Sequence, residues 1–267
     1  MSLLVKPHPP AEDGTVLAVT PESAGWKHVG FRAVTLGAGQ TYSGGEPGRE
    51  ACLVLLSGVA DVRAGDLRCG GIGGRESVFD DAPPASVYVP AGTTFTVTAK
   101  NDVELAVCTA PGGGSLPPRL IDPATMSREV RGSGTNQRFV RNILPETEPA
   151  DSLLVVEVIT PGGNWSSYPP HKHDRDVPGE ETALEETYYH RLDPPQGFAF
   201  QRVYTDARDL DETIAVGDGE VVMVPRGYHP VGAPHGYDLY YLNVMAGPKR
   251  QWIFKNDPAH DWIADKA

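Results

Sequence analysis

The sequence predicts an all-β chain made of two tandem barrel-like segments, on three observations. Glycine and proline are abundant, at 30 and 25 of 267 residues, which interrupts long helices and suits short strands joined by turns. Apolar residues recur with a period of two in short runs bounded by Gly and Pro, and no helical period is sustained before the last residues. The two halves also share a local string, VYVPAG at 87–92 and VMVPRG at 222–227, as expected of two copies of one barrel unit. Hydrophobic residues make up 40% and charged residues 22% of the chain, enough for packed cores.

In the first segment, ACLVLLSGVADVRAG (51–65) reads as a strand, a glycine turn and a second strand. SVYVPAGTTFTVTA (86–99) alternates around Pro90, Ala91 and Gly92, and VELAVCTAP (103–111) is a further strand closed by Pro111. An irregular bridge follows at 112–144. Its stretch SREVRGSGTNQRFVRNIL carries four arginines and reads as a solvated connector or interface segment rather than a substrate-binding one. Strands resume with SLLVVEVITPGGNW (152–165), EETYYHRL (185–192), GFAFQRVYT (197–205), GEVVMVPRGYHPV (219–231) and YDLYYLNVMAG (237–247). The tail at 248–263 is expected to form a short helix packed on the barrel. The expected domains are an N-terminal barrel without metal at 1–120, a connector at 121–150 and a metal-binding barrel at 151–267.

The formal charge of −12 and a pI near 5.1 set the chain against phosphate backbones, so no nucleic-acid partner is expected. The N-terminus lacks a basic region followed by an apolar run, and no apolar stretch approaches the roughly 20 residues that span a bilayer. No membrane partner is expected, and the expected location is the cytoplasm. Cys52, Cys69 and Cys108 form no CxxC pair and read as buried reduced thiols.

Five of the eight histidines lie between residues 171 and 235. In PPHKHD (169–174), residues two apart on a strand share a face, so His171 and His173 point the same way while Lys172 points away. A carboxylate opening the strand EETYYHRL can face them. Glu185 and Glu186 both offer one, but only one can point inward; with Glu186 inward, Tyr188 and His190 line the same face. In VPRGYHPV, Pro225 and Gly227 make a turn and His229 follows. His171, His173, His229 and a glutamate form a mixed nitrogen–oxygen site for one divalent metal ion, zinc or manganese first among several. His190 and His235 lie nearby without this spacing and read first as structural.

These strings resemble the paired motifs of the cupin superfamily, which take two His and a Glu from the first motif and a His from the second. The loop between HxH and Glu is longer than the usual spacing, and the second motif has one residue fewer between Gly and His. VPAGTTF in the first half stands where the second motif would stand but has no His, so the first segment resembles a cupin barrel without a metal. The resemblance implies a bicupin.

The longer run SSYPPHKHD, LEETYYHRL, GFAFQRVYTD, DETIAVGDGEVVMVPRGYHPV and GYDLYYLNVMAGPKRQW resembles the bacterial 5-deoxy-glucuronate isomerase family of myo-inositol catabolism. That family is related to the 4-deoxy-5-keto-uronate isomerases of pectin breakdown. The resemblance implies an aldose–ketose isomerisation of 5-deoxy-glucuronate to 2-deoxy-5-keto-gluconate. A metal bound to carbonyl and hydroxyl oxygens would stabilise an enediolate, and a nearby base would move the proton. Tyr188, His190 and a metal-bound water are the candidates for that proton; a hydride shift stays open. The substrate would be a small anionic sugar acid, its carboxylate held by a guanidinium, with Arg202 and Arg226 as candidates. Further copies of the same chain are the other expected partner. A dioxygenase, or an isomerase of a related deoxy-keto-uronate, is the alternative.

Overall fold

The computed structural model describes residues 2–266. Almost all of its regular structure is strand, and the chain forms two compact units. One comprises Pro7–Ser127 and Asn142–Val155; the other comprises the residues up to Lys6, Arg128–Arg141 and everything from Val156 onward.

The N-terminal unit holds two sheets. One runs, in spatial order, Arg119–Ile121, Ser86–Val89, Arg49–Ser57, Val103–Pro111, Gly30–Leu36 and Thr15–Val19. The other runs Thr41–Gly44, Phe95–Ala99, Val59–Ala64 and Leu67–Gly73. Both contribute to one core, with Ala51, Leu53 and Leu55 alternating on the first and Val62, Phe95 and Val97 on the second. Each fully buried Leu or Phe there stabilises the unit by about 1.5–3 kcal/mol. The three cysteines are buried and free, and burial pushes the Cys52 thiol up to about 12. Glu50 is fully buried yet satisfied. It accepts from the Tyr88 hydroxyl at 2.6 Å and from the backbone N–H groups of Asp151, Ser152 and Leu153 at 2.8, 2.6 and 2.6 Å.

The second unit also encloses its core between sheets. The main sheet runs Leu4–Val5, Val221–Val224, Glu185–Asp193, Asp238–Ala246, Leu154–Thr160, Arg138–Leu144 and Ser127–Arg131. A four-stranded sheet runs Trp165–Ser166, Val231–Gly232, Ala199–Tyr204 and Asp211–Val216. Tyr188, Leu192, Val222, Val224 and Tyr241 from the main sheet meet Val203, Val216 and Val231 from the other.

Two stretches differ from their sequence reading. Residues read as an irregular connector carry the strands Arg119–Ile121, Ser127–Arg131 and Arg138–Leu144. Val140 is buried in the core of the second unit, so that stretch has an apolar inward face that its arginines mask in the sequence. The tail is not an α-helix. Lys255–Asn256 is a strand paired with His171–Lys172, and the one short helix among the described residues of the tail is the 3-10 helix Asp261–Lys266. Trp252, Ile253 and Phe254 are consecutive rather than spaced by three or four, and Pro258 would break a helix through this point. No helix among the described residues is long and apolar enough to cross a membrane.

Candidate metal centre

Three separate segments deliver the polar side chains at one end of the second unit's core. The first is the His171–Lys172 strand, in register with Asn256 and Lys255. His171 and His173 share a side, and Lys172 takes the other. The Lys172 ammonium lies 3.0 Å from Asp174, 3.1 Å from Asp206 and 3.8 Å from Glu181. Burial works against that ammonium, but the aspartates outweigh it and raise its pKa. Asp174 reaches the second segment as well, accepting from the Gly227 N–H at 2.8 Å. Gly227 has φ +90°, and a Cβ there would stand 2.4 Å from the Tyr204 carbonyl oxygen, so only glycine makes this turn. Past it, Tyr228 pairs with Tyr204 and His229 turns inward, fully buried.

Backbone carbonyls orient two of the imidazoles. Nδ1–H of His229 donates to Gly227 O at 2.9 Å, and Nδ1–H of His173 donates to Leu184 O at 3.3 Å. Both tautomers leave Nε2 free to face the third segment, the strand Glu185–Asp193. There Oε2 of Glu186 lies 3.1 Å from Nε2 of His173 and 3.2 Å from Nε2 of His229, while Oε1 accepts from the Asn243 amide at 2.6 Å. Glu186, Tyr188 and His190 alternate on the inward face; Glu185 belongs to the other face and is half-buried.

The ligand atoms of His173, Glu186 and His229 all lie within 4.8 Å of one another, and all three residues are buried. His171 flanks this group, its ring edge-on to His229 at 4.9 Å between centroids and 6.3 Å from His173. Burial and the neighbouring imidazoles hold His171 well below the ordinary histidine range, and burial pushes His229 down to about 4. Burial also opposes the charge on His173, but the hydrogen bond its protonated Nε2–H would donate to the Glu186 carboxylate, with that group's charge, outweighs burial and raises the pKa. Nε2 of His229 is buried and makes no hydrogen bond among the described residues. Converging imidazole nitrogens with an orphaned buried lone pair, beside a carboxylate, fit a divalent ion with nitrogen and oxygen ligands.

The Tyr188 ring packs 5.8 Å from His229 and stacks at 5.9 Å on His190. Its hydroxyl hydrogen-bonds Ser167 Oγ at 2.8 Å, and burial raises its pKa well above the tyrosine range. His190 is fully buried; neither ring nitrogen has a hydrogen-bond partner among the described residues, and burial pushes it down to about 4. Arg202 and Arg226 are placed differently. Each is a half-exposed guanidinium in a two-point pair, Arg202 with Asp211 at 2.8 and 2.7 Å and Arg226 with Asp209 at 3.1 and 2.9 Å. Sequence reasoning missed Asn243, Tyr241, Ser166 and Ser167. Ser166 Oγ is hydrogen-bonded to the Tyr241 hydroxyl. Asn243 was visible as a polar residue on the inward alternation Leu239, Tyr241, Asn243 of a buried strand.

Comparison with known proteins accords with this architecture. A curated protein of Geobacillus kaustophilus (strain HTA426) named 5-deoxy-glucuronate isomerase is 57% identical over 98% of this chain and 95% of its own length. The protein of that name from Bacillus subtilis (strain 168) is 51% identical over 93% of this chain and 92% of its own. The crystal structure of an IolB-like protein from Salmonella typhimurium LT2 superposes with a TM-score of 0.96 at 53% identity, covering 99% of this chain and 100% of that one. Lactobacillus farciminis oxalate decarboxylase shares the bicupin fold, with a TM-score of 0.67 at 13% identity over 97% of this chain and 88% of its own. The KduI/IolB family model matches residues 3–263, so the chain belongs to the KduI/IolB family.

Proposed function

We propose that this protein is a 5-deoxy-glucuronate isomerase, interconverting 5-deoxy-glucuronate and 2-deoxy-5-keto-gluconate in the C-terminal barrel. The observation that carries the reading is the buried convergence of His173, Glu186 and His229 in a chain 51% or more identical over most of its length to relatives named for that activity. In this reading His171, His173, Glu186 and His229 hold one divalent ion, zinc or manganese, and the N-terminal barrel holds none. When bound, such an ion supplies a Lewis acid that polarises the substrate carbonyl.

The chain's own groups supply the proton chemistry. Tyr188 keeps its proton at neutral pH and donates to a substrate oxygen. His190 is neutral at that pH, with an unshared lone pair, and is the base for the carbon-bound proton. Glu186 is kept off proton duty by its contacts with both imidazoles and Asn243. The substrate is a soluble sugar acid, which goes with a cytoplasmic location, and exposed Phe198 and Phe200 support self-association of the chain. Metal analysis tests the site. One equivalent per chain is expected, with isomerase activity lost on chelation and restored by zinc or manganese; full activity in metal-free protein would contradict the proposal.

A further inference from the structure

The C-terminal barrel contains a guanidinium that no carboxylate answers. On the strand Arg138–Leu144, alternate residues share a face, so Arg138 stands on the side of Val140. Val140 belongs to the apolar cluster that includes Tyr188 and Tyr241, and Arg138 lies one step further along the same face. Nη1 of Arg138 donates to Asn136 O at 3.1 Å and to Tyr168 O at 3.5 Å. Those carbonyls position the side chain without neutralising it. Among the described residues no acid pairs with Arg138, whereas Arg141 meets Glu157 at 2.9 Å, Arg202 meets Asp211 and Arg226 meets Asp209.

Its surroundings belong to the site. Tyr168 leads through two prolines to His171. The preceding residues, Ser166 and Ser167, hold the hydroxyls of Tyr241 and Tyr188. Burial works against the Arg138 charge, and the groups that act on it electrostatically are Tyr241, Arg131 and Tyr188, not carboxylates. A guanidinium stays charged even so, and a half-buried cation without a counter-ion is better stabilised once an anion arrives.

We propose that Arg138 is the receptor for the carboxylate of the sugar acid, presenting its unengaged N–H groups beside Tyr241 and the Tyr168–His171 segment. The proposal rests on the isomerase reading for the identity of the substrate. It assigns acid-over-neutral specificity to a residue on the main sheet, while Arg202 and Arg226 remain with their surface aspartates. A planar fork that loses its partner should cost binding more than turnover of what does bind.

The test compares two sugars that differ only at C6, D-glucuronate and D-glucose, as calorimetric ligands for the metal-loaded protein. It is paired with kcat and KM for 5-deoxy-glucuronate. Wild type should bind glucuronate more tightly than glucose. Arg138→Gln should weaken glucuronate about 10- to 100-fold, raise KM by a similar factor, and leave glucose affinity within about twofold. Arg138→Lys, which keeps the charge without the fork, should fall between, and it decides the matter if the glutamine variant fails to fold. The proposal is overturned if the folded variant keeps the wild-type preference, or if the preference is lost in Arg202→Gln or Arg226→Gln instead. It is equally overturned if wild type shows no preference for glucuronate. If glucuronate binding depends on Arg138 but wild type does not isomerise 5-deoxy-glucuronate, the receptor stands and the isomerase reading alone fails.

Discussion

Glu186 does two things with its two oxygens: Oε2 meets both imidazoles, and Oε1 is fixed by the Asn243 amide. Asn243→Ala should therefore lower metal affinity by about 10- to 100-fold, the usual effect of losing such an outer partner. Glu186→Gln should bind metal more weakly still, and Glu185→Gln, changed on the opposite face, should retain it. Titration of the apo-proteins with zinc measures this, and the reverse order of the two glutamine variants would make Glu185 the ligand. The choice between these glutamates was legible only through its company, because Glu186 inward brings Tyr188 and His190 with it. His190 has a separate signature. Burial holds its folded pKa near 4 against an ordinary 6.5, so between those values the unfolded chain binds a proton that the folded chain refuses. Its contribution is full above pH 6.5 and falls by about 3 kcal/mol as the pH drops towards 4. Urea unfolding of wild type and His190→Leu at pH 7 and pH 4.5 should show a smaller loss in the variant; equal losses would place the imidazole in contact with water.

At the scale of elements, the two loops that carry the proposed ligands are tied by a charge cluster rather than by a ladder. Lys172, 3% exposed, neutralises Asp174 and Glu181, and Asp174 in turn holds the Gly227 turn that presents His229. Lys172→Met leaves Asp174 and Glu181 with only the exposed Arg175 as counter-charge and should destabilise the fold, by less than the about 3–5 kcal/mol of a buried pair left with none, with weaker metal binding as a consequence. An unchanged melting curve would mean that the cluster is solvated. The outward direction of Lys172 followed from strand alternation, but its partners, Asp206 and Glu181, come from other loops and left no local mark. The same limit hid Arg138. Four arginines within eighteen residues, interrupted by Gly132 and Gly134, have the composition of a solvated segment. The inward alternation of Arg138 and Val140 shows only once a strand is placed there. In the tail, the apolar run of Trp252, Ile253 and Phe254 supports extended chain beside His171 as readily as a helix, and pairing with Lys172 decides between them.

On the scale of the whole molecule, the duplicated VPxG string carried the two-barrel architecture, since each copy ends a buried strand at a turn, Ser86–Val89 and Val221–Val224. The boundaries carry less local information. Asp151–Leu153 begins an apolar run, yet three of its backbone N–H groups are spent on Glu50, far away in sequence. The first residues pair with Val221 and Val222 through only two positions, Leu4 and Val5, too short a strand to show a period. The chemistry, by contrast, was concentrated where a period of two and one obligatory glycine bring the imidazoles together. The central claim, that this barrel isomerises the sugar acid without an oxidant, is tested most directly by NMR of 5-deoxy-glucuronate incubated under nitrogen with the metal-loaded protein. The account predicts conversion to 2-deoxy-5-keto-gluconate until equilibrium is reached. No turnover by folded protein with any reconstituted metal, or turnover only when oxygen is admitted, would contradict it.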